Sequence, residues 1–486
     1  MGEAWSGRSS RAGGPDGPPQ GVSCRSDRIR ERRPVPGASR ALRGTSRKAE
    51  EGADAGRRRP TTTRRGAVPG AAIPARSASR PRGRGVRRRE RSGQGTMTHS
   101  SDIVVVGAGA AGLSLAWRLL DPPPGVRAPE VVLVDAPAGL RSPERTWCYW
   151  EAGAGDYDPL LTASWRRLRV RAPDGSGPAR DLGGLRYKML RSAAFERGLE
   201  PRLAGVRRIE AVVERVADRP YGAEVVCRTA DGSVRTLRAR WVYDSRPPAV
   251  PPPARVALLQ HFRGWFVRCE RPAFAPGTVE LMDFRTPQPE HGLSFGYVLP
   301  LSRHEALVEY TEFGRSPLPR SSYDEALRHY TERVLGLGPY RVTATEQGAI
   351  PMTDGRYDRR PGRHVFRIGA AGGAVRPSTG YAFAAIQRQS RAVADAVHAG
   401  RTPVPPPAHP ARILAMDAVL LRGLDTGRID GPAFFTRLFE HVPAARLMRF
   451  LDGTTRPAEE FAIGLRTPVL AMLRTVAELP LLARRT

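Results

Sequence analysis

The stretch Asp102-Ile-Val-Val-Val-Gly107-Ala-Gly109-Ala-Ala-Gly112 decides the fold of this chain. Its continuous β-branched run is typical of a parallel strand that is buried on both faces. Of the three glycines, the first permits a tight turn, the second lets the backbone approach a pyrophosphate, and the third lets a helix pack on the strand. A second apolar strand at residues 131–134 ends at Asp135, which is spaced to accept hydrogen bonds from a ribose. The pattern predicts a βαβ unit that binds a dinucleotide through Gly107, Gly109, Ala110, Gly112 and Asp135.

A glycine fingerprint alone is weak evidence, and a coincidental turn rich in Gly and Ala is the alternative. Here the strand, the glycines, a helical stretch at residues 113–120, the second strand and the acid follow one another in register. The phosphates would then lie at a helix N-terminus, where unpaired N–H groups point outward. This order favours the dinucleotide site.

The positive charge of the chain is unevenly distributed. The chain has 486 residues, enough for two or three domains, and a formal net charge of +30. Residues 1–96 hold 24 basic and 8 acidic residues. Lys48 and Lys188 are the two lysines, so arginine supplies nearly all of the charge. Arginine binds phosphate, but this bias, with abundant Ala, Gly and Pro, is typical of GC-rich coding DNA and does not predict a nucleic-acid partner.

Residues 1–96 are low-complexity Arg, Gly, Pro, Ser and Ala with no hydrophobic period. Such a segment cannot bury enough apolar surface to offset its chain entropy, so we expect a disordered basic tail. Three interpretations compete for it: an over-called start upstream of Met97, a basic interaction arm, and a targeting peptide. We favour the first, because a segment without a structural signature needs no function.

The four cysteines are scattered and form no C-x-x-C spacing. Neither a metal site nor a disulfide framework is therefore predicted, and a reducing compartment fits. The chain has no recognisable signal peptide and no run of 18 apolar residues, so we expect a cytoplasmic protein that is not secreted and does not span a membrane.

The order of the predicted elements indicates an α/β protein, α+β overall, with a discontinuous first domain. This domain covers residues 97–248, breaks at the proline-rich segment 247–253, and resumes at residues 350–402. Residues 249–349 are predicted as an antiparallel sheet that faces a substrate, and residues 403–486 as a helical region. The strands of that sheet are expected at residues 261–269, 278–285, 293–299 and 306–313.

A second glycine-rich segment follows a predicted buried strand at residues 365–368. It begins at Gly369 and leads to a helix expected at residues 382–398. The N-terminus of that helix would direct its positive end at a flavin ring carbonyl. The alternative is a glycine-rich helix start with packing duties alone, but together with the fingerprint at residues 107–112 the flavin site is favoured.

Eight segments carry a family resemblance: residues 102–112, 145–150, 241–248, 281–285, 298–301, 309–311, 347–351 and 376–381. Taken together they resemble the bacterial lycopene cyclases, a branch of the FAD-dependent fold that includes the aromatic-ring hydroxylases. The similarity covers essentially all of residues 102–486, and Arg376-Pro-Ser-Thr-Gly-Tyr381 is its most specific element. Relatives often carry Glu-Glu-Thr or Glu-Asp-Thr where this chain has Glu309-Tyr-Thr. Gly369-Ala stands where the hydroxylases have Gly-Asp, which argues against the hydroxylases more than against the cyclases.

The resemblance implies a Rossmann-type FAD-binding domain of the aromatic-hydroxylase-like class, with an antiparallel-sheet substrate domain and a C-terminal helical region. It implies conversion of the linear ψ-ends of lycopene to β-ionone rings, without net redox change. The family needs reduced FAD, so NAD(P)H is implied as the reductant. Further cofactor contacts are implied at Arg145, Gly369, Pro377, Thr379 and Gly380.

The chemistry of polyene cyclisation requires a general acid in an apolar site. A terminal double bond is protonated, the cation closes a ring, and a different proton is removed. Desolvation keeps a carboxyl protonated near neutral pH by raising its pKa. Strand alternation places Glu309 on one face with Leu307 and Phe313, so Glu309 is the predicted acid. Asp283 is the second candidate. The alternative to a catalytic role is, for each carboxyl, a structural ion pair with an arginine, which for Asp283 would be Arg285.

Two further features leave alternatives open. Trp147, Trp150 and Tyr381 either stabilise a cation through their π faces or pack in the core. Residues 469–482 form an amphipathic pattern that either packs internally or docks at an anionic membrane face. The expected partners are thus lycopene and, peripherally, the membrane, with no nucleic acid and no obligate protein partner. The rival functions are an FAD-dependent monooxygenase of an apolar substrate and a non-catalytic carotenoid- or nucleic-acid-binding protein.

Overall fold

The computed structural model of the protein describes residues 101–485, so the predicted tail at residues 1–96 lies outside the described residues. Within the described part the chain forms three β-sheets and nine α-helices. The strands are β1 (Ser101–Val106), β2 (Val131–Asp135), β3 (Thr146–Ala152), β4 (Ala163–Trp165), β5 (Arg167–Arg171), β6 (Arg180–Asp181), β7 (Leu185–Arg191), β8 (Arg207–Arg219), β9 (Gly222–Thr229), β10 (Val234–Asp244), β11 (Ala257–Cys269), β12 (Thr278–Asp283), β13 (Leu293–Pro300), β14 (Glu305–Gly314), β15 (Tyr340–Thr353) and β16 (Val365–Arg367). The helices are α1 (Ala110–Leu119), α2 (Ser192–Leu199), α3 (Arg320–His329), α4 (Phe383–His398), α5 (Ala411–Asp425), α6 (Gly431–His441), α7 (Ala444–Leu451), α8 (Pro457–Gly464) and α9 (Val469–Glu478).

The first sheet contains the predicted βαβ unit. Its parallel part has the order β8-β2-β1-β10-β16, and β9 pairs antiparallel with both β8 and β10. The predicted return of the chain to this sheet at β16 is confirmed. The sequence pattern predicts two strands, at residues 234–239 and 241–246, where the structure has the single strand β10. Its first half pairs with β9 and its second half with β1 and β16, which keeps the whole segment extended.

The second sheet has the order β15-β11-β14-β13-β12-β5-β6, and all of its pairs are antiparallel except β12 with β5. The four strands predicted for it are present as β11 to β14. It also takes in β5 and β6, which lie within the range predicted for the first domain. The edge strand β15 was not predicted as a strand, because Gly348 and Pro351 interrupt a run whose residues otherwise alternate between half-buried and exposed positions.

The two faces of the second sheet are covered by different layers. On the outer face, Trp265 and Tyr310 pack against Tyr323 and Leu327 of α3 and against Tyr330. The sequence predicts a helix at residues 323–335; in the structure α3 starts earlier, at Arg320, and is followed by a π-helical turn at Tyr330–Val334. The inner face packs against the third sheet, in the order β3-β7-β4, and against the C-terminal helices.

The third sheet buries a lysine. Lys188, on β7, has no exposed side-chain surface. Its Nζ donates to Glu151 Oε1 at 2.9 Å, to Asp158 Oδ1 at 2.5 Å and to the Gly153 carbonyl at 3.3 Å. The ammonium is thus paired with two carboxylates, as burial of a charge requires.

The C-terminal region is helical, as predicted. Helix α5 packs on α9, and both contribute to the apolar core beneath the inner face of the second sheet. Among residues 101–485, no helix combines the length and the apolar character that crossing a bilayer demands.

Candidate functional site

The glycine fingerprint has the geometry of a phosphate cradle. Gly107 has a φ of +93°, which a side chain would strain, and a Cβ there would lie 2.3 Å from Ser245 Oγ. A Cβ on Gly109 would meet no atom within 4 Å, so the space beside it is open. A Cβ on Gly112 would lie 1.9 Å from the Gly107 carbonyl oxygen, so only glycine lets α1 approach the turn. Ala110 opens α1, whose first N–H groups face this space. These residues fit the pyrophosphate of a dinucleotide.

Asp135 ends β2 beside this cradle. Its Oδ1 accepts a hydrogen bond from the Ala108 N–H at 3.1 Å, and its Oδ2 pairs with Arg141 Nε at 2.9 Å. A carboxylate offers about four acceptor positions, so both contacts leave capacity for a ribose hydroxyl. Arg145, the next predicted contact, lies exposed before β3 and donates to Ser142 Oγ at 3.0 Å.

The second glycine-rich segment packs directly on the first. Gly369 has a φ of +62°, and a Cβ there would lie 2.8 Å from Ala111 Cβ of α1. After it the chain forms a 3-10 turn, and α4 begins at Phe383, beyond the loop of residues 376–381. The structure therefore brings the two segments together, as a cofactor that contacts both requires.

The loop of residues 376–381 is closed by its own backbone. The Arg376 N–H donates to the Tyr381 carbonyl at 2.9 Å, and the Gly380 N–H donates to the Arg376 carbonyl at 2.9 Å. Gly380 has a φ of +72°, which this tight loop demands. Pro377 is buried within the loop and Thr379 is half-buried.

Helix α5 anchors this loop. The buried Arg376 guanidinium pairs with Asp417 at 3.1 Å, and Ser378 Oγ donates to the same carboxylate at 2.7 Å. The most specific sequence element is therefore fixed between the first sheet and the C-terminal helices.

Two glutamates meet on the inner face of the second sheet. Glu309 on β14 and Glu346 on β15 both lie opposite Gly264 of β11, which runs between these strands. A Cβ on Gly264 would lie 2.8 Å from Glu309 Cγ, so the Glu309 side chain crosses over this glycine. Sequence patterns missed Glu346. The signal that could have found it is Gly264, because glycine inside a strand often marks a close approach.

The environment of Glu309 favours its protonated form. Glu309 is 8% exposed. Burial, followed by the charge of Glu346 and a hydrogen bond to it, raises the pKa of Glu309 well above its usual range. Thr146 Oγ1 donates to Glu346 Oε2 at 2.7 Å. This arrangement holds an un-ionised carboxyl on an apolar face.

A hydrogen-bonded group of tyrosines lies beside the carboxyls. Tyr297 stands opposite Glu309 on β13. Its hydroxyl donates to Cys148 Sγ at 3.2 Å and contacts the Tyr187 hydroxyl at 2.8 Å, and that hydroxyl in turn contacts the Tyr381 hydroxyl at 2.6 Å. Burial raises the pKa of all three phenols and raises that of the Cys148 thiol to about 12. These groups are neutral near pH 7.

The predicted aromatic residues divide between two places. The Trp150 and Tyr381 rings meet edge to face at 4.8 Å, next to the tyrosine group. Trp147 instead stacks on Phe383 at 5.7 Å, in the core beside the first sheet. The structure thus brings Trp150, and not Trp147, towards the carboxyls.

Asp283 does not join this site. Its carboxylate is fully buried and pairs with the Arg285 guanidinium, 2.5 Å away, while the Tyr330 hydroxyl donates to it at 2.8 Å. Asp283 lies opposite Gly296, against which Tyr330 packs, so it belongs to the outer face. The ion pair with Arg285 was the structural alternative for this residue.

A cavity of about 1020 Å³ lies beneath the C-terminal helices. Pro377 and Thr379 of the loop line one side, and apolar residues such as Leu420, Phe435 and Met472 line the other. The two glutamates do not line it. The loop of residues 376–381 separates the cavity from the two glutamates, because its other end, Tyr381, contacts the tyrosine group.

The outer surface of the C-terminal helices is unusually apolar. Leu470 is 76% exposed and Leu481 84%, and Phe461, Leu465 and Leu473 are also exposed. Exposed arginines, Arg466 and Arg474, lie among them. Large exposed apolar patches of this kind mark interaction sites.

Comparison with known proteins gives three findings on sequence. A profile of the family described as lycopene cyclase protein matches residues 102–477. A protein of Deinococcus radiodurans described as an uncharacterized carotenoid cyclase is 31% identical over 219 residues, which cover 41% of this chain and 51% of that protein. A lycopene beta-cyclase of Pseudescherichia vulneris is 26% identical over 317 residues, which cover 62% of this chain and 76% of that protein. The chain therefore spans about half the length of the first of these relatives.

One solved structure supports the fold. A flavoprotein/dehydrogenase from Cytophaga hutchinsonii superposes with a TM-score of 0.51 at 14% identity, over 78% of this chain and 99% of that chain. At this identity the likeness concerns the fold alone. The predicted α/β fold, with an antiparallel sheet and a C-terminal helical region, is confirmed.

Proposed function

This chain belongs to the lycopene cyclase family, and from that premise we propose that it converts the ψ-ends of lycopene to β-ionone rings. The observation that carries the proposal is Glu309: a buried carboxyl with a raised pKa, on an apolar face, whose neighbour is a second carboxyl instead of a cation. A structural carboxyl in such a place would be expected to pair with an arginine.

The reaction begins with proton transfer. Glu309 donates its proton to the terminal double bond, which leaves a tertiary cation. The neighbouring double bond attacks this cation and closes the ring, and loss of a different proton restores a double bond. One proton enters and one leaves, so the product has the mass of lycopene. A raised pKa suits this acid because its protonated form persists near neutral pH.

The neighbours of Glu309 suit a cationic intermediate. Trp150 and Tyr381 offer π faces that attract positive charge. The tyrosine hydroxyls are hydrogen-bonded to one another and to Cys148. The apolar surroundings exclude water that would otherwise capture the cation.

The residues at the glycine fingerprint support FAD as the cofactor. Gly107, Gly109 and Gly112 would hold its pyrophosphate, Asp135 its ribose, and the loop of residues 376–381 its ring end. Bound in its reduced form, with NAD(P)H as reductant, FAD would supply an electron-rich ring that stabilises positive charge beside it.

The substrate is a long hydrocarbon that dissolves in membranes. We propose that the exposed apolar residues of α8 and α9, with Arg466 and Arg474, contact an anionic membrane face. The cavity under these helices would take the polyene chain, and an end group passing the loop would reach Glu309.

Expression in a lycopene-accumulating bacterium tests the proposal. Pigment chromatography with mass analysis should show cyclised products that keep the mass of lycopene. With purified protein, NAD(P)H consumption should stop once the flavin is reduced. An oxygenated product, or one reductant spent per ring, would assign the protein to the monooxygenases. Unchanged lycopene with a flavin-loaded protein would reject both.

A further inference from the structure

Glu346 is placed to act on Glu309. Adjacent strands lie about 4.8 Å apart, so the backbones of β14 and β15 are separated by roughly twice that distance across β11. Two glutamate side chains that extend towards each other span this gap only if the position between them has no side chain. Gly264 meets that condition, and the two carboxyls come close enough for hydrogen bonding to Glu346 to contribute to the raised pKa of Glu309.

A hydrogen bond between two carboxyls requires one shared proton. Thr146 decides on which side the proton lies, because its hydroxyl donates to Glu346 at 2.7 Å. A donor stabilises the ionised form of the carboxyl that accepts from it. Glu309 is buried on an apolar face, and burial disfavours its ionised form. The negative charge therefore belongs to Glu346 and the proton to Glu309.

The other groups that face Glu309 are neutral or paired elsewhere. Tyr297, Tyr381 and Cys148 have pKa values raised by burial. Arg191, whose guanidinium lies 4.5 Å from the centre of the Phe266 ring, is paired with Glu144. The outer-face glutamate of the same strand, Glu312, accepts from Tyr310. Within the described residues, the charge that raises the pKa of Glu309 is that of Glu346.

We propose that Glu346 is a positioning residue that keeps the catalytic proton on Glu309, with Thr146 holding the charge on Glu346 and Gly264 giving the pair its space. This inference rests on the proposed function. After Glu309 has given up its proton, two carboxylates face each other, and this repulsion favours return of the proton lost in ring closure to the same pair.

The sign of the pH effect follows. Activity requires protonated Glu309, so the rate falls as pH rises through its pKa. The charge of Glu346 raises that pKa and moves the alkaline loss of activity to higher pH. Removal of the Glu346 charge should move the alkaline loss of activity to lower pH, while activity under acidic conditions persists.

The test is the pH dependence of cyclisation in lipid vesicles containing lycopene, with flavin-loaded full-length protein. Glu346→Gln should keep its flavin and its Tm, and the alkaline limb of its pH–rate profile should move to lower pH. A shift of one pKa unit costs about tenfold in rate on that limb. Glu346→Asp, which keeps the charge, should restore the position of the limb. Glu312→Gln, on the outer face, should match wild type throughout.

An unchanged limb in Glu346→Gln, or an equal loss at every pH, would overturn the proposal. A second readout does not depend on catalysis. Infrared spectra of the wild type at pH 7 should contain the carbonyl band of a protonated carboxyl. This band should disappear in Glu309→Gln and should titrate at lower pH in Glu346→Gln. If wild type fails to cyclise lycopene yet shows this band, the proposed function fails and the carboxyl pair stands; absence of the band rejects the pair.

Discussion

The inner and outer faces of the second sheet each bury a carboxyl, and the neighbours of the two are opposite in charge. Asp283, on the outer face, meets the guanidinium of Arg285 and the hydroxyl of Tyr330. Glu309, on the inner face, meets a second carboxyl. Burial alone therefore does not identify a reactive acid, since both are buried. The difference lies in whether a cation lies beside the carboxyl. A carboxylate paired with a cation, such as Asp283, stabilises the fold, whereas a buried carboxyl without one, such as Glu309, stays protonated.

Glu309→Gln should have the largest effect. Loss of a general acid costs about 10²–10⁴-fold in rate, so lycopene should remain essentially uncyclised in pigment chromatograms. Flavin absorbance should be normal. A carboxyl whose pKa is raised in the folded protein destabilises it once the pH exceeds the pKa of that carboxyl in the unfolded chain. At pH 8 the variant should therefore be no less stable than wild type in thermal melting. Cyclisation within about tenfold of wild type would exclude Glu309 as the acid, because that loss falls short of the range for a general acid.

Asp283→Asn should show the opposite pattern. It leaves the Arg285 guanidinium without its carboxylate, and loss of one partner from a buried pair costs about 3 kcal/mol at the lower end of the known range. Urea unfolding should detect this loss, while cyclisation per mole of folded, flavin-loaded protein stays close to wild type. A stable variant that no longer cyclises would place Asp283 in the chemistry and remove the distinction between the faces.

Two glycines offer a matched comparison. An added methyl at Gly264 would meet Glu309 Cγ at 2.8 Å, and displacement of a catalytic group by about 1 Å can cost about 10²-fold in rate. An added methyl at Gly296 would meet Tyr330 Cζ at 2.1 Å on the outer face. Gly264→Ala should therefore reduce cyclisation, and Gly296→Ala should lower Tm by overpacking. The reverse assignment would contradict the comparison.

Tyr297→Phe should have the smallest effect. It removes one hydroxyl from the tyrosine group on the inner face, and a hydrogen bond of this kind contributes about 1 kcal/mol. The free energy of unfolding should fall by about that amount, and the initial rate of cyclisation should stay within about fivefold of wild type. A loss comparable to that of Glu309→Gln would mean that the phenol, not Glu309 alone, handles the proton.

The parts of the fold that depend on neighbouring residues could be predicted from the sequence. The turn at Gly107 and the approach of α1 at Gly112 involve residues close in the chain, so the spacing of the glycines contains the information. Strand alternation likewise placed Glu309 on an apolar face. The joining of β5 to β12 could not be predicted in this way, because it pairs strands that are distant in sequence.

The partner of Glu309 required the structure for the same reason. Glu346 lies on an edge strand that is interrupted by Gly348 and Pro351, and its position depends on the register of β15 against β11. For Asp283, by contrast, the partner Arg285 is two residues away, and the sequence already offered this ion pair as the alternative. Short-range partners are legible in a sequence, whereas partners across a sheet are not.

The buried lysine of the third sheet leaves residues 101–485 without an accessible side-chain amine. Lys188 is the one lysine between residues 101 and 485, and its Nζ is sealed by Glu151 and Asp158. An acylating reagent therefore meets no accessible side-chain amine in this part of the chain until the third sheet opens. Mass-spectrometric acylation of the Lys188 peptide would thus time the opening of the protein directly, without reference to flavin or pigment.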